Sequence, residues 1–227
     1  YWISEFDIDA WRLDVADEVD HTFWKKFRTT CDAAKDDFYI LGEVWHSAQP
    51  WLVGDEFSAV MNYAYTDAIK DGLITKKISL EQMVSNINTQ LTLYRKQVNQ
   101  MMFNVLDSHD TPRILTVAKN NKNLMKLVET FTFMQPGVPC IYYGDEYAVT
   151  GGMDPECRKV MPWEEKDQDL EMFDFFKNLI ALRKQYQGIL SDSEVEWKIV
   201  DSENGIVKFE RGSLKAIFNI GEKPAYF

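Results

Sequence analysis

Short apolar runs alternate with longer helical patterns along most of this chain, and no other feature limits its fold as tightly. IDAWRLDVA (8–16), DFYILGEVW (37–45), FSAVMNYAY (57–65), QMMFNVLDSHD (100–110) and GVPCIYYGDE (137–146) read as strands. Between and after them, residues 17–35, 79–98, 122–135 and 170–187 read as helices. In the first helix Val19, Phe23, Phe27 and Cys31 recur every four residues and define one face. Ser79 is a natural N-cap for the second. Regular strand–helix alternation predicts a parallel sheet, doubly wound or closed as a barrel. Strands rich in apolar residues suit burial on both faces. The tail differs. Residues 194–201, 205–212 and 214–221 read as short strands with turns at Asn204-Gly205 and Gly212. The expected organisation is an α/β unit over 1–190 and a small antiparallel β unit over 191–227.

Two observations separate the two α/β architectures. No GxGxxG follows a strand, which removes the dinucleotide-binding reading. Asp14, Glu43 and Asp110 each close a different predicted strand, and barrel enzymes place their chemistry at that end. Three acids on one rim suit a divalent-metal site with a lysine or histidine base. They equally suit glycoside hydrolysis, with one carboxylate as nucleophile and another as acid. Taken singly, each also reads as an ordinary solvated or ion-paired acid. Arg12 stands two residues before Asp14, so both side chains share a face. A fixed cation there keeps the acid ionised, which suits a nucleophile and weakens a metal site. No lysine lies at these strand ends. Glu43 lies between apolar Leu41 and aromatic Trp45, a setting that suits a proton donor.

Charge and cysteine content narrow the partners. The chain has 25 basic and 36 acidic residues, a net charge of −11. That balance offers no basic face for nucleic acid and no polybasic anchor for an anionic membrane. No apolar run approaches the ~18 to 20 residues of a membrane span. Three cysteines, Cys31, Cys140 and Cys157, form no close pair. A reducing, cytoplasmic location is expected, and no secretory leader pattern opens the sequence. CxxC and HExxH metal motifs are absent, so no metal ligands are assigned.

Four strings resemble the α-amylase superfamily (glycoside hydrolase family 13), in the family's order: DAWRLDVADEVDHTFW, ILGEVWH, NVLDSHDTPR and GVPCIYYGDE. DVADEVDHTFW and GEVWHSAQPWLVGDEFSAVMNYAYTD are most similar to its neopullulanase and cyclomaltodextrinase branch. The resemblance implies a partial (β/α)8 TIM barrel, strands four to eight with their helices, before the small β unit. It makes Asp14 the nucleophile, Glu43 the proton donor and later base, and Asp110 the third acid on the sugar hydroxyls. Arg12 would orient Asp14, and His109 would bond the same sugar. Trp45 would stack on a leaving-side sugar or pack in the core. Asp154 and Arg158 would hold more distant glucose units or pair within their loop. Glu18 reads as a helix-dipole complement, His46 stays open, and Arg113 would pair with acids near the site. Tyr142 and Tyr143 read as core and rim.

The implied substrate is an α-glucan, cleaved with retention at α-1,4 and α-1,6 bonds of cyclodextrins, maltodextrin or pullulan. No cofactor is required. Calcium stabilises related enzymes, but no ligand set is assignable here. Strands one to three of the family barrel are not among these residues. The expected consequence is self-association or pairing with the missing N-terminal half, and weak or no activity alone. The alternative is a non-catalytic glucan-binding or assembly fragment.

Overall fold

All five predicted apolar runs form parallel strands, each shorter than its run. The computed structural model describes residues 1–224; Ala225–Phe227, the end of the predicted β unit, lie outside them. In chain order the elements are α1 (Trp2–Phe6), β1 (Ala10–Leu13), α2 (His21–Ala34), β2 (Tyr39–Gly42) and β3 (Ala59–Val60). Then come α3 (Tyr63–Ile69), α4 (Leu80–Leu93), α5 (Lys96–Met101), β4 (Phe103–Val105), α6 (Ile114–Val117), α7 (Lys122–Phe133) and β5 (Val138–Cys140). The chain continues through α8 (Leu170–Gln185), α9 (Gln187–Asp192), β6 (Glu196–Asp201), β7 (Ile206–Arg211) and β8 (Leu214–Asn219).

β1, β2 and β3 pair in parallel, with Leu13 opposite Gly42 and Leu41 opposite Ala59. β4 and β5 also pair in parallel, with Val105 opposite Cys140. A single parallel bridge, Met61 to Phe103, joins the two groups, so strand order follows chain order. Buried amides reinforce that thin junction. Asn62 Nδ2 donates to Asn104 Oδ1 at 2.8 Å, and Asn104 Nδ2 donates to the Pro136 carbonyl at 2.7 Å. Among the described residues β1 and β5 each pair on one side only.

Three segments depart from the sequence reading. The first helix starts at His21, because the Asp20 side chain accepts from the Thr22 N–H at 2.8 Å and caps it there. Its buried residues are Trp24 and Cys31, while Phe23 is exposed and Val19 precedes the helix. Trp24 Nε1 donates to the Ala16 carbonyl at 2.8 Å, which fixes that rotation. The run 57–65 is strand only at Ala59–Val60, and its aromatic end is the first turn of α3. The run 100–110 holds the end of α5, the short β4 and then a loop, so Asp110 lies five residues past its strand.

Helices α4, α7 and α8 likewise start where short polar side chains cap them. Ser79, Asn121 and Asp169 accept from the N–H groups of Gln82, Leu124 and Met172 at 3.0 to 3.1 Å. One apolar core lies between α2 and β1–β3 and includes Trp24, Phe38, Ile40 and Phe57. A second joins α3, α4, α7 and α8 to the antiparallel sheet β6-β7-β8. β7 alternates, burying Val207, Phe209 and Arg211. Phe131 of α7 meets Phe209 and Phe218 edge-on, with ring centres 5.5 and 5.1 Å apart.

Arg211 fastens the same junction. Its guanidinium is 1% exposed and donates to the carbonyls of Met134 (2.7 Å), Leu190 (2.6 Å) and Ser193 (2.8 Å). Two of these carbonyls end helices, where a cation is favoured. Burial lowers its pKa to about 10, which leaves it charged at neutral pH. No helix among the described residues is long and apolar enough to cross a membrane.

Phe131→Ala removes the ring that α7 shares with β7 and β8. It should destabilise the protein by about 3–5 kcal/mol, read as a lower urea midpoint. Loss below 1 kcal/mol would mean that the sheet and helices do not share a core.

Candidate active site

The first two acids meet because β1 and β2 end side by side. Leu13 and Gly42 are paired, and the Glu43 N–H continues the ladder to the Leu13 carbonyl at 2.9 Å. Asp14 and Glu43 therefore leave adjacent strands at one level. Gly42 is required there: a Cβ would lie 2.6 Å from the Phe57 ring. Val15 then turns into the left-handed region at φ 44°, unusual for a β-branched residue. That turn aims its N–H at Glu43 Oε2, 3.0 Å away. Strain of this kind costs about 1–3 kcal/mol and clusters at functional sites.

Arg12 lies between the two carboxylates. One guanidinium nitrogen pairs with Asp14 Oδ1 and the other with Glu43 Oε1 at 2.9 Å. The hydrogen bond and the charge of Arg12 hold the Asp14 carboxyl below its usual range. Asp14 is open to solvent, with 74% of its side chain exposed, whereas Glu43 is 4% exposed. The apolar surroundings expected of Glu43 are only half present. Leu41 is buried beside it, but both carboxylate oxygens have polar partners.

The other residues gather in a second cluster. Asp110 sits in a turn in which the Ser108 N–H donates to Thr111 Oγ1 (2.8 Å) and the Asp110 N–H to Ser108 Oγ (3.2 Å). His109 Nε2 lies 2.9 Å from Asp110 Oδ2. Arg158, from the loop after β5, reaches Asp110 Oδ1 at 3.1 Å and Asp154 Oδ1 at 2.8 Å. Asp154 and Arg158 thus form the pair within their loop, and both stay largely exposed.

Tyr63 links the clusters, and the sequence reading missed it because its segment read as strand. It is 1% exposed and its hydroxyl donates to Ser108 Oγ at 3.2 Å. Burial pushes its pKa up to about 12, with Glu43, Asp110 and Arg12 all within electrostatic reach. Trp45 lies flat on its ring, centres 3.8 Å apart and planes 2° apart. Trp45 is 46% exposed, so it is a covered platform beside Glu43 rather than core. His46 pairs with Asp17 at 3.0 Å, and Glu18 closes a short 3-10 turn (Ala16–Glu18) ahead of α2. Tyr142 is partly buried and Tyr143 partly exposed, as core and rim.

No group of three or more His, Cys, Asp or Glu side chains among the described residues is arranged to hold a metal ion. The Asp14–Glu43 pair, with a guanidinium between its members, is equipped for charge stabilisation and proton transfer by side chains.

Arg12 sets the ionisation of Asp14, so its loss has a defined sign. In the intact protein Asp14 stays ionised to lower pH than a free aspartate. Its contribution to stability is present above the ordinary value and fades as pH falls through the lowered one. Arg12→Leu should return the Asp14 midpoint towards about 3.9, read by carboxyl-carbon NMR. An unmoved midpoint would exclude Arg12 as the cause.

A family model described as the alpha-amylase catalytic domain matches residues 1–169. The chain is 50% identical over 211 residues to the intracellular maltogenic amylase of Bacillus subtilis strain 168, covering 93% of this chain and 36% of that protein. It is 50% identical over 203 residues to the cyclomaltodextrinase of Geobacillus thermopakistaniensis strain MAS1, covering 89% and 34%. A solved cyclomaltodextrinase structure superposes with a TM-score of 0.93 at 43% identity, covering 96% of this chain and 38% of that one. The chain spans about a third of the length of the curated relatives it matches. The family's catalytic-domain pattern runs through more than half of the chain and all three loops that bear the site carboxylates, and the chain belongs to the alpha-amylase family.

Proposed function

We propose that these residues form the second part of a retaining α-glucan hydrolase. In this reading β1 to β5 are strands four to eight of a (β/α)8 barrel spanning 1–190, and 191–227 is a small β unit packed against it. The observation that carries it is the Arg12 guanidinium shared by Asp14 and Glu43 at adjacent strand ends. Asp14 is open, ionised and aligned, as a nucleophile must be. It attacks the anomeric carbon while Glu43 gives a proton to the leaving glycosidic oxygen. Glu43 then takes a proton from water, which releases the sugar with its configuration retained. Asp110 and His109 bond the hydroxyls of the sugar being cleaved, Trp45 offers its free face to the leaving side, and Asp154 and Arg158 meet glucose units further along. No cofactor takes part. The substrates are cyclodextrin, maltodextrin or pullulan, with α-1,4 and α-1,6 bonds both within reach of this chemistry.

The free cysteines support action in the cytoplasm. The one-sided pairing of β1 and β5 supports a partner for those edges, either the upstream strands of the barrel or a second copy. Apolar side chains stand near both: Trp2 and Phe6 before β1 are 53% and 58% exposed, and Val138 on β5 is 43% exposed. The same edges favour the second reading, a fragment that binds glucan or assembles without turnover.

The test is hydrolysis of γ-cyclodextrin and pullulan by this chain, alone and mixed with a chain supplying the upstream strands. Alone it should show little or no turnover, and mixing should restore it. Glu43→Gln should lower the restored rate about 10²–10⁴-fold. Full turnover alone would refute the need for a partner. No turnover in either condition would leave the binding reading.

A further inference from the structure

Arg113 is a charged side chain with no exposure, and it touches none of the groups assigned to the reaction. Its contacts are with the backbone of the loop after β5. Nε donates to the Cys157 carbonyl at 2.8 Å, Nη1 donates to the Tyr143 carbonyl, and its own N–H donates to the Gly151 carbonyl at 3.0 Å. The guanidinium lies 4.0 and 4.6 Å from the ring centres of Tyr142 and Tyr143. Residues 151–158 are thereby held against the loop that carries His109 and Asp110. The contact is returned from the other side. Cys157 Sγ and Arg158 Nε both donate to the His109 carbonyl at 3.0 Å, and Arg158 reaches Asp110.

The buried charge has counterparts. Asp145 lies 3.3 Å from Arg113 Nη1 and hydrogen-bonds Asp107, which accepts from the Ile114 N–H at 2.6 Å. Glu129 of α7 completes the buried group. Burial holds Asp145 and Glu129 well above the usual carboxyl range. Asp107 and Asp145 share a hydrogen bond beneath the guanidinium, and burial raises the Asp107 carboxyl as well. The guanidinium is thus buried with an acid partner at hand rather than alone. The planar fork, rather than charge alone, makes the carbonyl contacts, and lysine cannot reproduce it.

We infer that Arg113 is a positioning residue that clamps the loop after β5 onto the loop after β4, so that Arg158 and the His109–Asp110 pair present one surface to the sugar. The inference rests on the reading of His109, Asp110 and Arg158 as sugar-binding groups. Cys157 is a built-in reporter, being fully buried under the clamp, while Cys31 is buried in the other core.

The experiment measures maleimide labelling of each cysteine by peptide mass spectrometry, with maltohexaose binding by calorimetry alongside. Arg113→Lys should speed labelling at Cys157 at least tenfold, leave Cys31 unchanged and weaken maltohexaose at least fivefold. Unchanged Cys157 labelling overturns the clamp. A joint rise at Cys31 and Cys157 reduces Arg113 to general stability and overturns it too. Faster Cys157 labelling with unchanged sugar affinity overturns the link to the sugar. If Arg113→Lys fails to fold, Asp145→Asn should give a smaller change at Cys157 in the same direction, and none there is again refutation. If the unaltered chain binds no maltohexaose either alone or mixed with a chain supplying the upstream strands, the functional reading fails and the sugar-positioning role falls with it, whereas labelling alone still measures the clamp.

Discussion

Acidic residues that follow adjacent parallel strands at one level start side by side, because the strands themselves lie only about 4.8 Å apart. Acids on neighbouring strand ends repel one another when ionised unless a cation stands between them. The Arg12 fork turns that repulsion into a shared bond, with one nitrogen for Asp14 and one for Glu43. Much of the neighbourhood follows from keeping this arrangement. Gly42 leaves room for Phe57 behind it, and Val15 accepts a strained backbone to bring its N–H to Glu43. Arg158 repeats the device in the second cluster, joining Asp110 to Asp154. An acidic chain can thus gather carboxylates close together by setting guanidinium groups between them.

How far this was legible depended on where each signal resides. The antiparallel tail was read almost to the residue, since alternation along Ile206–Arg211 and the Asn204-Gly205 turn are local. The parallel strands were found but overdrawn. A strand buried on both faces reads as a plain apolar run, and nothing in FSAVMNYAY marks where Val60 ends and α3 begins. The face of α2 was off by one position because it depends on the Asp20 cap and on the bond from Trp24 to Ala16. Asp14 and Glu43 could be named because they follow their strands directly. Asp110 reads as the close of its strand, but it stands in a loop five residues past β4. Tyr63 escaped notice, since its importance comes from Trp45 and Ser108, far away in sequence. The complete burial of Arg113 was equally invisible, being a product of two loops meeting.

The junction between the two strand groups has a different character from the rest of the core. A single bridge joins Met61 to Phe103, and the relay from Asn62 through Asn104 to Pro136 carries the remaining backbone and amide groups. Buried amides tolerate little variation in geometry, because a lost partner leaves a donor unsatisfied at a cost of about 1–3 kcal/mol. The relay thus fixes how the strand bearing Glu43 stands relative to the loop bearing Asp110.

The antiparallel sheet has no separate interior: Phe209 and Phe218 close on Phe131, and Arg211 ends two helices of the preceding unit. For recombination between relatives, a crossover at the last helix cuts through a core rather than between two cores. A chimera joined there inherits ring shapes from one parent and their sockets from another, and the Arg211 carbonyl cage must match as well. The unit that can be exchanged intact therefore takes in α3, α4, α7 and α8 together with the sheet.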